Sequence, residues 1–406
     1  MAFASRTFRL MMEVPKGRGV GRAGRSYVVG VVAAIMLFAS CFRADTTKSD
    51  AFQAGIPVRV GPKEFGSSFS YYNTSPESPD GSKIAYTKFL SMPMEGRSEK
   101  VSAEIWICDA DLTGHRKLAD ANPMEVHNGA RVQWLDTHSL AFADDSIRVI
   151  DLQGNPLIRA VSGRIGHQPF GGNFIYSDTS NESGIQVIYE YNVFNNEITR
   201  IADAMDFRSV LELFPSRGLR EVKEFEILHL QYSPDGRKVA FRMNIGPRNE
   251  KYNHLIVMDR DGGNVRYFGP KPMHFGWYDN ESIMGHDNQI DDGMVNDRSC
   301  RRWHVDGTYM ETLAGIGNHL GASDDRTKYA SETWYYEVPV ILRVFRKGKT
   351  EAFWRDTVST DRHTTWILAN HTNPSFSRDG TRIYYNKCVA PGVAQAYMAT
   401  LPTSRP

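Results

Sequence analysis

One nine-residue phrase constrains this chain more than any other feature, because it occurs three times. Ser78-Pro79-Asp80-Gly81-Ser82-Lys83-Ile84-Ala85-Tyr86 recurs as Ser233-Pro234-Asp235-Gly236-Arg237-Lys238-Val239-Ala240-Phe241 and as Ser377-Arg378-Asp379-Gly380-Thr381-Arg382-Ile383-Tyr384-Tyr385. Each copy joins a tight turn, with a glycine for the reversal, to a strand in which large apolar residues alternate. Degenerate copies fill the gaps: Trp134-Leu135-Asp136 before Ser139-Leu140-Ala141-Phe142, Gly171-Gly172-Asn173 before Phe174-Ile175-Tyr176, Trp277-Tyr278-Asp279-Asn280 before Ser282-Ile283-Met284, and Ser323-Asp324-Asp325 before Lys328-Tyr329-Ala330. Several copies continue into a third strand and a polar turn, as in Ile105-Trp106-Ile107-Cys108-Asp109 and Leu255-Ile256-Val257-Met258-Asp259. Repeats of roughly forty residues, each reading strand, turn, strand, loop, strand, turn, strand, have the size of propeller blades. The expected fold is all-β, a seven-bladed β-propeller of four-stranded antiparallel blades over residues 45–406. The strand from Ile56 to Val60 is expected to pair with the last unit and close the ring. No amphipathic helix of convincing length competes.

Residues 1–44 read as a leader and short linker. Arg6, Arg9, Lys16, Arg18, Arg22 and Arg25 precede an apolar run from Tyr27 to Ala39 that ends in Ser40-Cys41. A basic flank, a run too short for a comfortable span and a small-residue exit make an export signal. Three fates fit it: cleavage to a secreted or periplasmic protein, retention as an anchor, or lipidation at Cys41, because Leu37-Phe38-Ala39-Ser40-Cys41 resembles a bacterial lipobox. Beyond the leader only Cys108, Cys300 and Cys388 remain, an odd number without CxxC spacing, so packing roles are expected. With 48 basic and 47 acidic residues no global field recruits nucleic acid, and a membrane partner enters only through an anchor at Cys41. A monomer is expected.

Of the twelve histidines, six (His127, His167, His229, His274, His319 and His371) stand a few residues before a blade's first turn. In a propeller that segment is the innermost strand, so side chains from separate blades converge at one end of the central channel. His229 and His319 each stand four residues before the turn serine, Asn373 holds the same register in the last blade, and His371 lies two residues earlier on the same strand face. Neutral imidazole is both a common metal ligand and a base near neutral pH, so the cluster suits a divalent metal, an acid–base site, or both.

Phrases such as Ser-Pro-Asp-Gly-x-x-Ile-x-Tyr resemble TolB-type, WD-like propellers over nearly the whole mature chain, which implies the fold and leaves function open. The second half resembles a narrower family, the oligogalacturonate lyases. The resemblance is carried by Ile227-Leu228-His229-Leu230-Gln231-Tyr232-Ser233-Pro234, His274-Phe275-Gly276-Trp277 and His371-Thr372-Asn373-Pro374-Ser375-Phe376-Ser377. It implies a manganese-type divalent metal held by His274 and His371, with His229 beside the sugar as base. The chain departs from the family where a His-Pro-His arrangement with an upstream glutamine becomes His371-Thr372-Asn373 with Leu368 upstream. It departs again where Cys-His-Glu-Gly-Pro becomes Met243-Asn244-Ile245-Gly246-Pro247. His319 and Asn373 are the residues that can complete a different shell. Val126-His127-Asn128-Gly129-Ala130-Arg131-Val132-Gln133-Trp134 also resembles a segment of related lyases.

The chemistry implied is β-elimination on a uronate-containing oligosaccharide, an acidic partner whose C5 proton is removed while the C4 oxygen leaves. Its carboxylate needs a cation. The long connection from 204 to 228 offers Arg208, Arg217 and Arg220, with Arg217 and Arg220 placed among the catalytic candidates and Arg208, His127, His167, Asn244 and Trp366 among those contacting substrate. Trp334, Tyr335, Tyr336 and Trp354 are expected mainly in the core. The competing class is a non-catalytic envelope propeller of TolB type that binds a protein or carbohydrate. The lack of a Gly-x-Ser-x-Gly elbow and of a trailing α/β domain sets aside a propeller peptidase or esterase.

Overall fold

Each repeated turn is tied by its own side chains. Ser78 Oγ donates to Asp80 Oδ1 at 2.5 Å and accepts from the Lys83 N–H at 3.0 Å. Ser233 does the same with Asp235 at 2.7 Å and Lys238 at 2.9 Å, and Ser323 and Ser377 repeat the pattern. The glycine that follows takes a left-handed backbone, with φ of 71° at Gly81, 68° at Gly236 and 66° at Gly380, a conformation that favours glycine.

The computed structural model describes residues 54–72, 74–91, 101–123, 126–179, 183–208, 225–245, 252–269, 272, 274–286, 299–333, 337–360, 371–390 and 393–403. These form seven sheets arranged as the blades of a propeller. Blade I runs from Ser67 to Ala121, blade II from Gln133, blade III from Arg164 to Asp203, blade IV from Glu226 to Gly269, blade V from Phe275 to Ile316 and blade VI from Gly321 to Ser359. Blade VII combines Ser375–Phe376, Arg382–Ala390 and Val393–Thr400 with the early strand Pro57–Arg59, which pairs Val58 with Met398 and so closes the ring. Six sheets have four strands; blade II has three, and its fourth position is held by isolated bridges from Ile147 to Val161 and Ile150 to Pro156.

The apolar alternation of each strand fills the seven seams between neighbouring blades. Phe275, Trp277 and Trp303 of blade V pack on Leu255, Val257 and Phe268 of blade IV; Cys300 sits in the seam between blades V and VI and Cys108 in that between VII and I. Both thiols are buried and free, and burial pushes the Cys108 thiol up to about 12. Trp354 lies in the seam between VI and VII, whereas Trp334, Tyr335 and Tyr336 fall outside the described residues. The VII–I seam also carries a buried charge. Glu77, 1% exposed, receives Arg382 at 2.7 Å, the Arg378 N–H at 2.8 Å and the Tyr384 hydroxyl.

The inner strands are shorter than the repeat suggests. Gln133–Trp134, Arg164–Ile165, Gly321–Ala322 and Ser375–Phe376 have two residues each. His127 therefore sits in a 3-10 turn, Val126–Asn128, and His371 lies in the extended segment before its strand.

Candidate functional site

Two tyrosines that follow the first inner strand fill the channel and organise the histidines around it. Tyr72 reaches across to donate its hydroxyl to the carbonyl of Phe275 at 3.1 Å. The Tyr71 ring stacks on His167 and on His229, with centroids 4.7 Å away in both cases. Tyr72 lies 5.5 Å from the ring of His319 and 6.0 Å from that of His274. Further ring contacts join His274 to His319 at 4.3 Å, His319 to His371 at 5.0 Å and His371 to His127 at 4.5 Å. His167 Nε2 and His229 Nδ1 are 3.2 Å apart. Six histidines from six blades thus form one continuous group.

The backbone is bent to present them. His229 has φ of 55° at a bulge between Leu228 and Gln231, and Asn373, at the equivalent register, has φ of 44°. Arg131, four residues before Leu135 in the turn position of blade II, has φ of 51°. Non-glycine residues hold this conformation at a cost of about 1–3 kcal/mol each, and such strain concentrates where side chains are aimed for use.

A cation stands beside the ring group. Arg242, from the second strand of blade IV, acts on Tyr71, Tyr72, His229 and His274, with Glu226 as its counter-charge. Its Nε is buried without a hydrogen-bond partner among the described residues. Burial, then Arg242 and the neighbouring His167, hold His229 well below the ordinary imidazole value; burial, then His319 and Arg242, do the same to His274. Both rings are therefore neutral in the free protein. Arg164 adds positive charge near Tyr71 and His229 while sharing Glu226 at 3.6 Å.

Glu332, 0% exposed on the second strand of blade VI, binds His319 Nδ1 and accepts from Thr372 Oγ1 at 2.7 Å. Burial alone would raise this carboxyl, but His319 and the hydrogen bonds outweigh it and hold it below its ordinary value. Asn373 donates to the His127 carbonyl at 3.0 Å. Asn244, also buried, donates to Glu226 at 3.3 Å, at the edge of the group. Arg208 is solvent-exposed, and Arg217, Arg220 and Trp366 lie outside the described residues. At the opposite end of the channel, where the inner strands finish, a cavity of about 460 Å³ is lined by Gln133, Gln168, Tyr232, Trp277, Arg326 and Arg378. Tyr72 borders that cavity as well as the histidines.

Comparison with solved structures finds the same fold in two oligogalacturonate lyases. An oligogalacturonate lyase in complex with manganese superposes with a TM-score of 0.60 at 16% identity, over 88% of this chain and 96% of that one. The oligogalacturonate lyase of Vibrio parahaemolyticus gives 0.58 at 14% identity, over 86% and 94% of the two chains. The TolB of Acinetobacter baumannii gives 0.40 at 12% identity, over 79% and 81%. No family model and no curated protein matches the chain.

The sequence reading missed Arg242, Glu332, Tyr71 and Tyr72, and also His286, which acts on His274. A signal for three of them was present. The residue nine positions after the turn serine is Thr87, Arg242, Glu332 and Asn386 in four blades, and the strand registers place Ser177 and His286 equivalently in blades III and V. Polar residues stand there in place of the apolar ones that a buried strand otherwise carries.

Imidazole nitrogens and an amide oxygen, as at His274, His319 and Asn373, are donor types that divalent cations accept. His274 Nδ1, His319 Nε2 and Asn373 Oδ1 are buried without hydrogen-bond partners among the described residues, and orphaned lone pairs of this kind are costly unless something binds them. The rings are stacked close to one another, and among the described residues no three His, Cys, Asp or Glu side chains close on a common point.

Proposed function

We propose that this chain is an exported lyase acting on uronate-containing oligosaccharides at the histidine end of its channel. The observation that carries the reading is the enclosed Arg242 guanidinium beside two neutral imidazoles, His229 and His274. A buried cation with an unused donor calls for an anionic ligand, and a planar carboxylate matches its fork. The basic leader supports export to a compartment where such polymers are met.

In this reading the substrate carboxylate lies against Arg242 and His229 accepts the C5 proton. The C5–H electron pair becomes the C4–C5 double bond, the C4–O bond breaks, and the leaving oxygen takes a proton from water. Burial and nearby cations make His229 a weak base in the free protein. A carboxylate arriving beside Arg242 offsets that cation and moves His229 toward its ordinary basicity, so base strength arrives with the substrate. A divalent ion, manganese by analogy with the neighbour whose complex contains it, would be held by His274, His319, His371 and Asn373. It would supply a second positive charge against the developing enolate. Incubation of the mature protein with a panel of polyuronides, followed by absorbance of unsaturated uronate, tests the reading. Tight binding without product would favour the binding-propeller class instead.

A further inference from the structure

The cavity at the end of the channel remote from the histidines carries a cation that the repeat does not call for. Three blades make their first turn as Ser-x-Asp-Gly, with Gly81, Gly236 and Gly380 in the fourth position. Blade VI makes the same turn as Ser323-Asp324-Asp325-Arg326, closed by the Arg326 N–H on the Ser323 carbonyl at 2.9 Å, just as Gly380 closes on Ser377. Arg326 therefore holds a glycine's left-handed backbone, with φ of 57°, at a cost that glycine would avoid. In the second position Pro79 and Pro234 give way to Asp324 in blade VI and Arg378 in blade VII. The three substituted residues, Asp324, Arg326 and Arg378, all line the cavity.

The Arg326 side chain is fastened by backbone alone. Its Nε donates to the Tyr278 carbonyl at 2.9 Å, Nη2 to that of Trp277 at 3.1 Å and Nη1 to that of Ser323 at 3.1 Å. One N–H is left on each terminal nitrogen, and no carboxylate pairs with the guanidinium among the described residues. Asp324 meets Arg378 at 3.9 Å, so two arginines against one aspartate leave the lining net positive. The rest of the wall suits a sugar. Trp134, Tyr232, Trp277 and Phe376 are buried in the seams, and both indole N–H groups are spent on backbone carbonyls. Phe170, half-buried, is the aromatic of the lining left to stack on a ring. Gln168, exposed and with φ of 57°, and the half-buried Ser75 add hydrogen-bonding groups. The volume of about 460 Å³ lies within the range of small-molecule sites, roughly 300–1,000 Å³.

We infer that this cavity is a second ligand site, which binds an acidic oligosaccharide with one carboxylate on Arg326 and a sugar ring against Phe170. A planar carboxylate uses the paired donors of a guanidinium, which a neutral sugar does not match. The inference takes from the proposed function only the class of sugar, and depends on neither Arg242 nor turnover.

The test is titration calorimetry with a short uronate oligosaccharide and with its neutral hexose counterpart, in a His229→Ala background so that turnover does not consume the ligand. Arg326→Gly and Arg242→Met are added to it singly. Arg326→Gly restores the residue that the other turns carry, so it should melt cooperatively while lacking the cation; Arg326→Asn, which also tolerates a left-handed backbone, serves if it does not fold. The expected result is two uronate sites in the background protein. Arg326→Gly should weaken one of them by about 10- to 100-fold, the scale of lost charge-assisted bonding, and leave binding of the neutral sugar unchanged. Arg242→Met should weaken the other. A uronate titration that Arg326→Gly leaves unchanged would overturn the inference, and the proposed function stands if Arg242→Met still weakens binding. One site, removed by Arg326→Gly and untouched by Arg242→Met, would overturn the proposed function and leave the inference standing. No uronate binding at all would overturn both.

Discussion

Removing Arg382 tests how the ring is held shut. Glu77 of blade I is 1% exposed and meets Arg382 of blade VII at 2.7 Å; the same guanidinium donates to the Ala110 carbonyl of blade I at 3.1 Å. In Arg382→Met, Glu77 keeps the Tyr384 hydroxyl and the Arg378 N–H but loses its cation, leaving a buried charge under-compensated. Breaking one side of such a pair costs about 3–5 kcal/mol. With an unfolding entropy of about 2.1 cal/mol/K per residue, a propeller of about 350 residues loses roughly 1.4 °C per kcal/mol, so Tm should fall by about 4–7 °C. Glu77→Gln in the same chain removes the stranded charge and should recover much of that loss. Calorimetry on the two variants measures it. A single variant within about 1 °C of wild type, or a double variant no better than the single, would refute the claim that this pair fastens the closure.

Two further outcomes follow from the site's electrostatics. His229 and His274 stay neutral well below the ordinary 6.5, chiefly because they are buried, whereas in the unfolded chain they charge near it. The unfolded state binds more protons below that pH, so stability present above it declines as the pH falls. Tm should drop between about pH 7.5 and 5.5, and a His229→Gln/His274→Gln variant should show a shallower slope; an equal slope would contradict the assignment. Arg242→Met should weaken binding of a uronate oligosaccharide by about 10- to 100-fold, the scale of a lost charge-assisted hydrogen bond. It should leave binding of a neutral oligosaccharide unchanged, as titration calorimetry would show.

The architecture was legible because its determinants are local. The Ser-x-Asp turns hold themselves through Ser78, Ser233, Ser323 and Ser377, and the strands after them alternate in plain view. Blade II was harder to read because its fourth strand is reduced to bridges. The histidines were legible because polar rings recur before successive turns. Their partners were not, since Arg242 and Glu332 stand on strands that read as ordinary core strands, and only comparing equivalent positions across blades sets them apart. Tyr71 and Tyr72 carry no local signal, because their role depends on the closed ring that brings Phe275, His167 and His229 to them. Of the arginines on the long connection, Arg217 and Arg220 lie outside the described residues, while Arg242 and Arg164, two cations that act on His229, come from strands.

Turnover of His229→Ala against wild type on an oligouronide, followed by unsaturated-product absorbance at saturating manganese, tests the central claim most directly. The account predicts product from wild type, and a loss of about a hundred- to ten-thousandfold in kcat for the variant. Its bound metal and melting profile should be unchanged. A folded, metal-loaded wild type that yields no unsaturated sugar from any polyuronide, or a variant that turns over at the wild-type rate, would contradict it.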